Sequence, residues 1–513
     1  MRTWKMASRI GKMAVVAVLL GAIYLYGCRN IVFADGNRVR AAPKAGVPLR
    51  TESLTLVDII DFKKWLPDTL AVSPDGTRIA YALLEGYGRG RIVVDGKAGN
   101  EYPGMVGKPV FSPDSRRVAY VAMDADNYWF VVADGVESKD KHPSVRGKSG
   151  VSDVLHFSPD GRRLAYVVFV DEGREVKQAL VVDHQEVARY DEIARVVLSK
   201  NGERLAYSAR TGNQWAVVVD GRESAKHESV LGTTPVLSPD GRHVAYGVKE
   251  GRRYFMVVDR KQGRDYDDLG GLVLFSPDST KVVYSPGVGK RQAVVLNDVE
   301  LGRYDQVDDQ SFVFSSDGKH LAYKARDASG WFVVLDGESG RAYGSVGRPV
   351  FTPDGARVAH SACEQCGRGN GKLPAMFVLV GGERIGGDYT GIDDRIRFSP
   401  DGSRIGFAAE RGPDQFVVVD NKEEKVYAGV MSESLLFSPT GRDLVYAAVN
   451  DASRSFVVVS GIEGKEFDSV GPCGKEGRLS QEGKILFDKD GSFRYLALLR
   501  EKAYLVRNAP QGL

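Results

Sequence analysis

Phe157-Ser-Pro-Asp-Gly-Arg-Arg-Leu-Ala-Tyr166 decides how this 513-residue chain folds, because the block recurs. Val72-Ser-Pro-Asp-Gly-Thr-Arg-Ile-Ala-Tyr81 and Phe111-Ser-Pro-Asp-Ser-Arg-Arg-Val-Ala-Tyr120 precede it. Further copies begin at Leu198, Leu237, Phe275, Phe314, Phe351, Phe398 and Phe437, and Phe487-Asp-Lys-Asp-Gly-Ser-Phe-Arg-Tyr495 is an eroded eleventh. The first ten turn serines, or their equivalents, follow one another at 37 to 47 residues. That period suits a four-stranded propeller blade.

The chemistry of one unit agrees. In Ser-Pro-Asp-Gly, proline presets φ at the second turn position, while serine and glycine suit the first and fourth. The turn joins two antiparallel strands. A polar loop follows, then a run such as Trp215-Ala-Val-Val-Val219 or Phe416-Val-Val-Val419, apolar on both faces as in strands covered on both sides. Next comes a tight-reversal signal, Asp95-Gly96, Asp134-Gly135, Asp220-Gly221 or Asp336-Gly337. A more polar fourth strand carries Tyr190-Asp191, Tyr266-Asp267 or Tyr304-Asp305. The expected fold is therefore all-β: a β-propeller of about eleven four-stranded blades. A closed ring typically has 4–8 blades, so two tandem propellers are expected, with one large ring as the alternative. No linker marks a boundary; arithmetic puts one near Asp308, giving blade sets 53–308 and 309–513. The last unit is short of a strand, which Ser53–Val57 can supply. Asp58–Leu66 shows helical spacing of Ile59, Phe62 and Leu66, and predicts one short helix before Pro67.

The amino terminus reads as an address. Arg2, Lys5, Arg9 and Lys12 precede the apolar run Met13–Tyr26, the layout of a secretory signal over residues 1–27. The run is short for a membrane-spanning helix, which needs roughly 20 residues. Leu25-Tyr26-Gly27-Cys28 resembles a bacterial lipobox, which implies lipidation of Cys28. Cleavage after Val32-Phe33-Ala34 and retention as an uncut anchor stay open. All three place the body outside the cytoplasm, in the periplasm or cell envelope, with residues 28–52 as a flexible tether. Without residues 1–27, 66 basic side chains face 67 acidic ones. That balance offers phosphate backbones no general attraction, so nucleic acid is not an expected partner, and contact with membrane is confined to the amino-terminal lipid or anchor.

The repeated block resembles the WD40-like repeats of the TolB family, and also the propellers of tricorn protease and of dipeptidyl peptidase IV-class peptidases. The resemblance spans about residues 54–500. It implies a propeller and leaves function open, since such propellers serve as platforms, gates and scaffolds. The peptidases carry a hydrolase domain with a Gly-x-Ser-x-Gly elbow. No such pentapeptide occurs here, and the repeats run almost to Leu513, so no peptidase activity is expected.

Alternating strand direction puts both tight turns of a blade on one face. The longer loops share the other: Met123–Tyr128, Phe169–Gln178, Ser361–Ala375 and the connection Glu137–Asp153. Function concentrates in variable loops on a rigid scaffold, so this long-loop face is the expected contact surface for a protein or peptide partner. Cys363 and Cys366 lie in one of these loops, and their spacing suits a local disulfide; free thiols and pairing with Cys473 stay open. No metal or other cofactor is expected, because a structural zinc site wants four ligands. His243 and His320 stand where other repeats have Arg78, Arg117 or Arg163, and read as repeat variants. Asp267-Asp268, Asp308-Asp309 and Asp393-Asp394 read as solvated turns, with calcium as the rival reading. No catalytic residue is expected. A channel enzyme, of lyase, lactonase or glycan-active type, would need polar side chains on the innermost strands, where Val72, Phe111, Leu198 and Phe275 are apolar and His156 is the main polar intrusion. A purely structural envelope component is the third reading.

Overall fold

The structure, a computed structural model, describes residues 50–61, 64–66, 69–86, 89–145, 149–173, 175–366, 375–470, 485–500 and 502–510. Eleven antiparallel sheets follow one another along the chain. Blade 1 contains Ala71–Val72, Ile79–Leu84, Gly90–Val94 and Lys97–Tyr102, hydrogen-bonded in that order. Blades 2 to 10 repeat the plan over residues 104–143, 151–190, 192–223, 229–266, 268–304, 306–339, 345–389, 391–423 and 429–463. The innermost strand is the one that ends at the Ser-Pro-Asp-Gly turn.

Both hairpin signals work as the residues require. In blade 1, Gly76 N–H donates to Ser73 O at 2.8 Å and Gly76 takes φ 66°. Asp95 and Gly96 both adopt positive φ, 50° and 76°, which turns the chain within two residues. Where serine replaces that first glycine, at Ser115 and Ser279, it keeps the left-handed φ of 65–66°. Such a conformation costs a non-glycine residue about 1–2 kcal/mol. Here the hydroxyl offsets the cost: Ser115 Oγ accepts from Asp75 N–H at 2.9 Å, and Ser279 Oγ from Asp240 N–H at 3.0 Å, each in the preceding blade.

Packing is blade on blade. The second and third strands are buried on both faces, as in Val118–Met123 and Tyr128–Ala133. The repeat tyrosines Tyr81, Tyr166, Tyr284, Tyr323, Tyr446 and Tyr495 are each less than 2% exposed. Burying a large side chain of this kind stabilises by roughly 1.5–3 kcal/mol. An apolar cluster joins each blade to the next. At blades 6 and 7 it unites Val283 and Val294 with Phe314, Tyr323 and Phe332. An equivalent cluster joins blade 11 to blade 1, with Leu496 and Ala503 against Val72, Ile79, Tyr81 and Val93. Asp308 itself lies within strand Gln306–Phe314, where the packing is continuous with the other interfaces.

Blade 11 is assembled from both ends of the chain. Lys502–Pro510 pairs antiparallel with Arg50–Ile59, Ser53 opposite Arg507 and Leu56 opposite Tyr504. Residues 53–57 thus supply the missing outer strand, within a longer one. This pairing overturns the expected helix at Asp58–Leu66. Asp58 and Ile59 are the last residues of the strand, opposite Ala503 and Lys502, and Ile59 is 59% exposed instead of docked. Trp65 N–H still reaches Asp61 O at 2.9 Å, but Trp65 then bridges to Leu83 and the turn goes no further. Phe62, the middle of the expected stripe, lies outside the described residues. There is no α-helix among the described residues.

Candidate functional surface

The two ends of the blades differ in how they use their polar groups. At the turn end, Ser73 Oγ donates to Asp75 at 2.6 Å and accepts from Arg78 N–H at 2.9 Å. The hydroxyl is therefore satisfied although Ser73 is buried. Arg78 then grips Asp95 of the second turn at 2.8 Å and reaches Arg116 O of the next blade at 2.7 Å. The same latch recurs. Arg117 reaches Arg162 O, Arg204 reaches Arg242 O, Lys281 reaches Lys319 O, Arg404 reaches Arg442 O and Arg494 returns to Asp75 O. His243 and His320 fill the arginine position, each with Nδ1 on the second-turn aspartate, Asp259 at 2.6 Å and Asp336 at 2.7 Å.

The inner strands behave otherwise. Those of consecutive blades are neighbours, so they face the middle. The residue directly before the turn serine or its equivalent is buried between blades in six of the eleven, Phe111, Leu198 and Phe275 among them, and half-buried in the others. The residue before that one is only half-buried in blades 2 to 11: Val110, His156, Val197, Val236, Leu274, Val313, Val350, Arg397, Leu436 and Leu486. The middle therefore has an apolar collar with two polar members, His156 and Arg397. His156 is held neutral to lower pH than a free histidine, first by burial and then by Arg195 of the next blade. Arg397 is likewise lowered, by burial and by Arg395, and its Nε donates to Leu435 O at 3.2 Å.

In blades 2 to 10 the ladder is interrupted four or five residues before the turn serine, for instance between Val106 and Val110, Ala194 and Val197, Asp308 and Val313, and Met431 and Leu436. Such bulges re-aim side chains. Their apexes are Lys108, Val154, Arg195, Thr233, Gly271, Gln310, Arg348, Asp394 and Glu433, exposed in every blade except the half-buried Glu433. This belt is what inspection of the turn-adjacent residues misses. Two of the aspartate pairs belong to it. Asp309 accepts from Leu272 N–H of blade 6 at 3.1 Å. Asp393 accepts from Ser432 Oγ at 2.7 Å and pairs with Arg395, which also meets Glu433 at 3.3 Å. Ser361 Oγ donates to Asp394 at 3.1 Å, beside the half-buried His360, which replaces the repeat tyrosine in blade 8. These aspartates tie blade to blade, so the solvated-turn reading is corrected for them. Among the described residues no group of three or more His, Cys, Asp or Glu is placed to hold a metal ion.

On the loop side, Cys363 and Cys366 are joined as a disulfide with Cα atoms 5.6 Å apart. Cys363 ends the strand Val358–Cys363 and is fully buried, whereas Glu364 and Gln365 are exposed. Cys28 and Cys473 lie outside the described residues.

Blades of four antiparallel strands, eight of the eleven opened by the same proline turn, define the architecture. The fold is a β-propeller. No protein-family model matches the chain, and no curated protein matches it by sequence. Among solved structures it is similar to TolB from Acinetobacter baumannii, with 14% identity over 59% of this chain and 78% of that one, TM-score 0.24. The β-propeller domain of the trilobed protease from Pyrococcus furiosus overlaps 62% of this chain and 96% of its own, with 14% identity and TM-score 0.26. An oligogalacturonate lyase in complex with manganese overlaps 69% and 98%, with 13% identity and TM-score 0.27. These likenesses are partial, and the propeller assignment rests on the blades themselves.

Proposed function

We propose that this chain is an exported, non-catalytic β-propeller, held at the cell envelope by its amino terminus, that binds a protein or peptide partner through its long-loop face. The address rests on the basic residues 2–12, the apolar run that follows and Cys28. The contact surface rests on the loops between the second and third strands, which vary from two residues after Thr211 to twelve after Cys363, and on the exposed Arg195 and Arg348 of the inner strands that start from that face, neither of which makes an ion pair with a described residue. Rigid sheets carrying non-repeated charged side chains suit recognition of a macromolecular partner.

Crosslinking in the native envelope tests this reading. Wild type captures a partner, and the Arg195→Glu/Arg348→Glu variant, still folded, captures at least tenfold less. Equal capture by the folded variant, or none by wild type, removes the reading. A mass spectrum of the mature amino terminus separates lipid-modified Cys28 from cleavage near Ala34 and from an uncut anchor.

The polar group at blades 9 and 10, Asp393, Asp394, Arg395 and Glu433, favours a second reading, an enzyme working in the middle of the propeller. Stoichiometric metal in the purified protein, lost on Asp394→Asn substitution, would select it.

A further inference from the structure

We propose that Cys363 and Cys366 form a redox latch that takes the place of a carboxylate cap, so that reduction releases one segment of the long-loop face. In five blades, the first residue after the aromatic that closes the preceding blade caps the opposite hairpin. Asp191 accepts from Gly212 N–H at 2.5 Å, Glu228 from Gly251 at 2.6 Å, Asp267 from Gly289 at 2.7 Å, Thr390 from Gly412 at 2.9 Å and Asp468 from Arg500 at 2.6 Å. Each cap pins the loop between the second and third strands to the blade connection.

Blade 8 has Gly344 in that position, after Tyr343. A Cβ there would lie 2.5 Å from Cys366 O, 3.0 Å from Cys366 N and 3.1 Å from Glu364 O. The backbone of the disulfide turn thus occupies the space a capping side chain would need. Glycine is required because the turn lies directly on it. Other ties of the turn include Cys366 N–H to Cys363 Sγ at 3.0 Å and an exposed Arg341–Glu364 pair at 2.7 Å. An exposed pair of this kind contributes little. The bridge is the covalent tie of the turn.

Reduction is a two-electron, two-proton step taken by a dithiol. Its thiolate attacks the half-buried Cys366 sulfur, and Cys363 leaves as a thiolate and is protonated. The second thiol then displaces Cys366, and the reductant departs as its own disulfide. Cys363 stays in its strand, opposite Ser345 and Met376, and Glu364–Cys366 is freed.

The proposal rests on the loop-face reading for its use, and its test is independent of any partner. Amide hydrogen exchange is followed in the full chain, oxidised and treated with dithiothreitol. Reduction is expected to speed exchange at Cys366 at least tenfold, with Gly251 and Gly289 in their capped hairpins unchanged. Gly344→Asp in the Cys363→Ser/Cys366→Ser background is expected to recover protection of the turn, because the new carboxylate supplies the missing cap. In the oxidised chain the same substitution collides with Cys366 O and lowers stability. Unchanged exchange on reduction overturns the latch, as does exchange that rises throughout blade 8, which makes the bridge a general staple. Loss of partner capture with the exchange pattern intact counts against the function and leaves the latch standing.

Discussion

At the turn end of the blades, Arg78, Arg117, Arg163, Arg204 and Arg404 all perform one task, a grip on their own second-turn aspartate and on the next blade's backbone. Nine or ten residues before that position, on the other side of the turn, Lys108, Arg195, Thr233, Gln310, Arg348 and Asp394 share a place in the repeat and no common chemistry. The first set is repeated because each copy solves the same packing problem. The second set has no shared packing task, since a bulge apex does not pair in the ladder and a tie such as Ser361 to Asp394 belongs to one pair of blades. Repetition marks where the fold is held, and its absence marks where the surface can specialise.

The largest break in this contrast comes from removing residues 50–59. Blade 11 then loses its outer strand, and Tyr495 loses its 3.0 Å bond to Glu52. Stability is expected to fall by more than the ~4 kcal/mol that marks an exceptional single substitution, read by urea denaturation. Next is Ser276→Ala at the turn end. Ser276 is fully buried, donates to Asp278 and accepts from Lys281 N–H at 2.9 Å, so its loss is expected to cost about 1–3 kcal/mol. Arg204→Ala is expected to cost about 1 kcal/mol, reduced by the partial exposure of its pair with Asp220. Arg348→Ala, from the belt, is expected to stay within about 0.5 kcal/mol of wild type while weakening partner capture. If the two arginines cost the same, the contrast fails.

Acid sharpens it further. Hydrogen bonds from Ser399 and Ser403 lower the Asp401 carboxyl to about 2. Asp160, Asp240, Asp278 and Asp354 are lowered in the same way, chiefly by the turn serine or threonine. These groups are charged more readily folded than unfolded, where an aspartate titrates near 3.9. Their stabilisation is complete above that value and is lost as pH falls from about 4 to 2. Ser399→Ala is expected to flatten that slope in acid titrations followed by circular dichroism. The smallest effect is at the belt: Arg195→Ala is expected to raise the His156 titration seen by NMR, because one of its two depressing causes is gone while burial remains.

Most of the blade plan is legible in the chain, because turn chemistry is local: Ser-Pro-Asp-Gly and Asp-Gly fix their hairpins without help from distant residues. The strand at Arg50–Ile59 lies at the limit, since its partner is some 450 residues away and its pattern also fits a helical turn. The bulges leave no compositional trace, so reading the residues beside the turn put the inward face one position off. The Gly344 substitution is visible when the repeats are aligned on their aromatics, with Glu228, Asp267 and Asp468 in the same column. What it accommodates, the backbone of a disulfide turn, is not written in that column.

The seam in blade 11 also sets a timetable. Bringing ends about 450 residues apart together costs an unstructured chain about 5 kcal/mol of closure entropy. A chain with its blades already stacked has spent that cost in small steps. Tyr504 and Val506 face Leu56 and Leu54 across the seam, so the zip cannot start until residues 502–510 have been made. Without that pairing the sheet of blade 11 keeps an open edge, offered to proteases and to other chains.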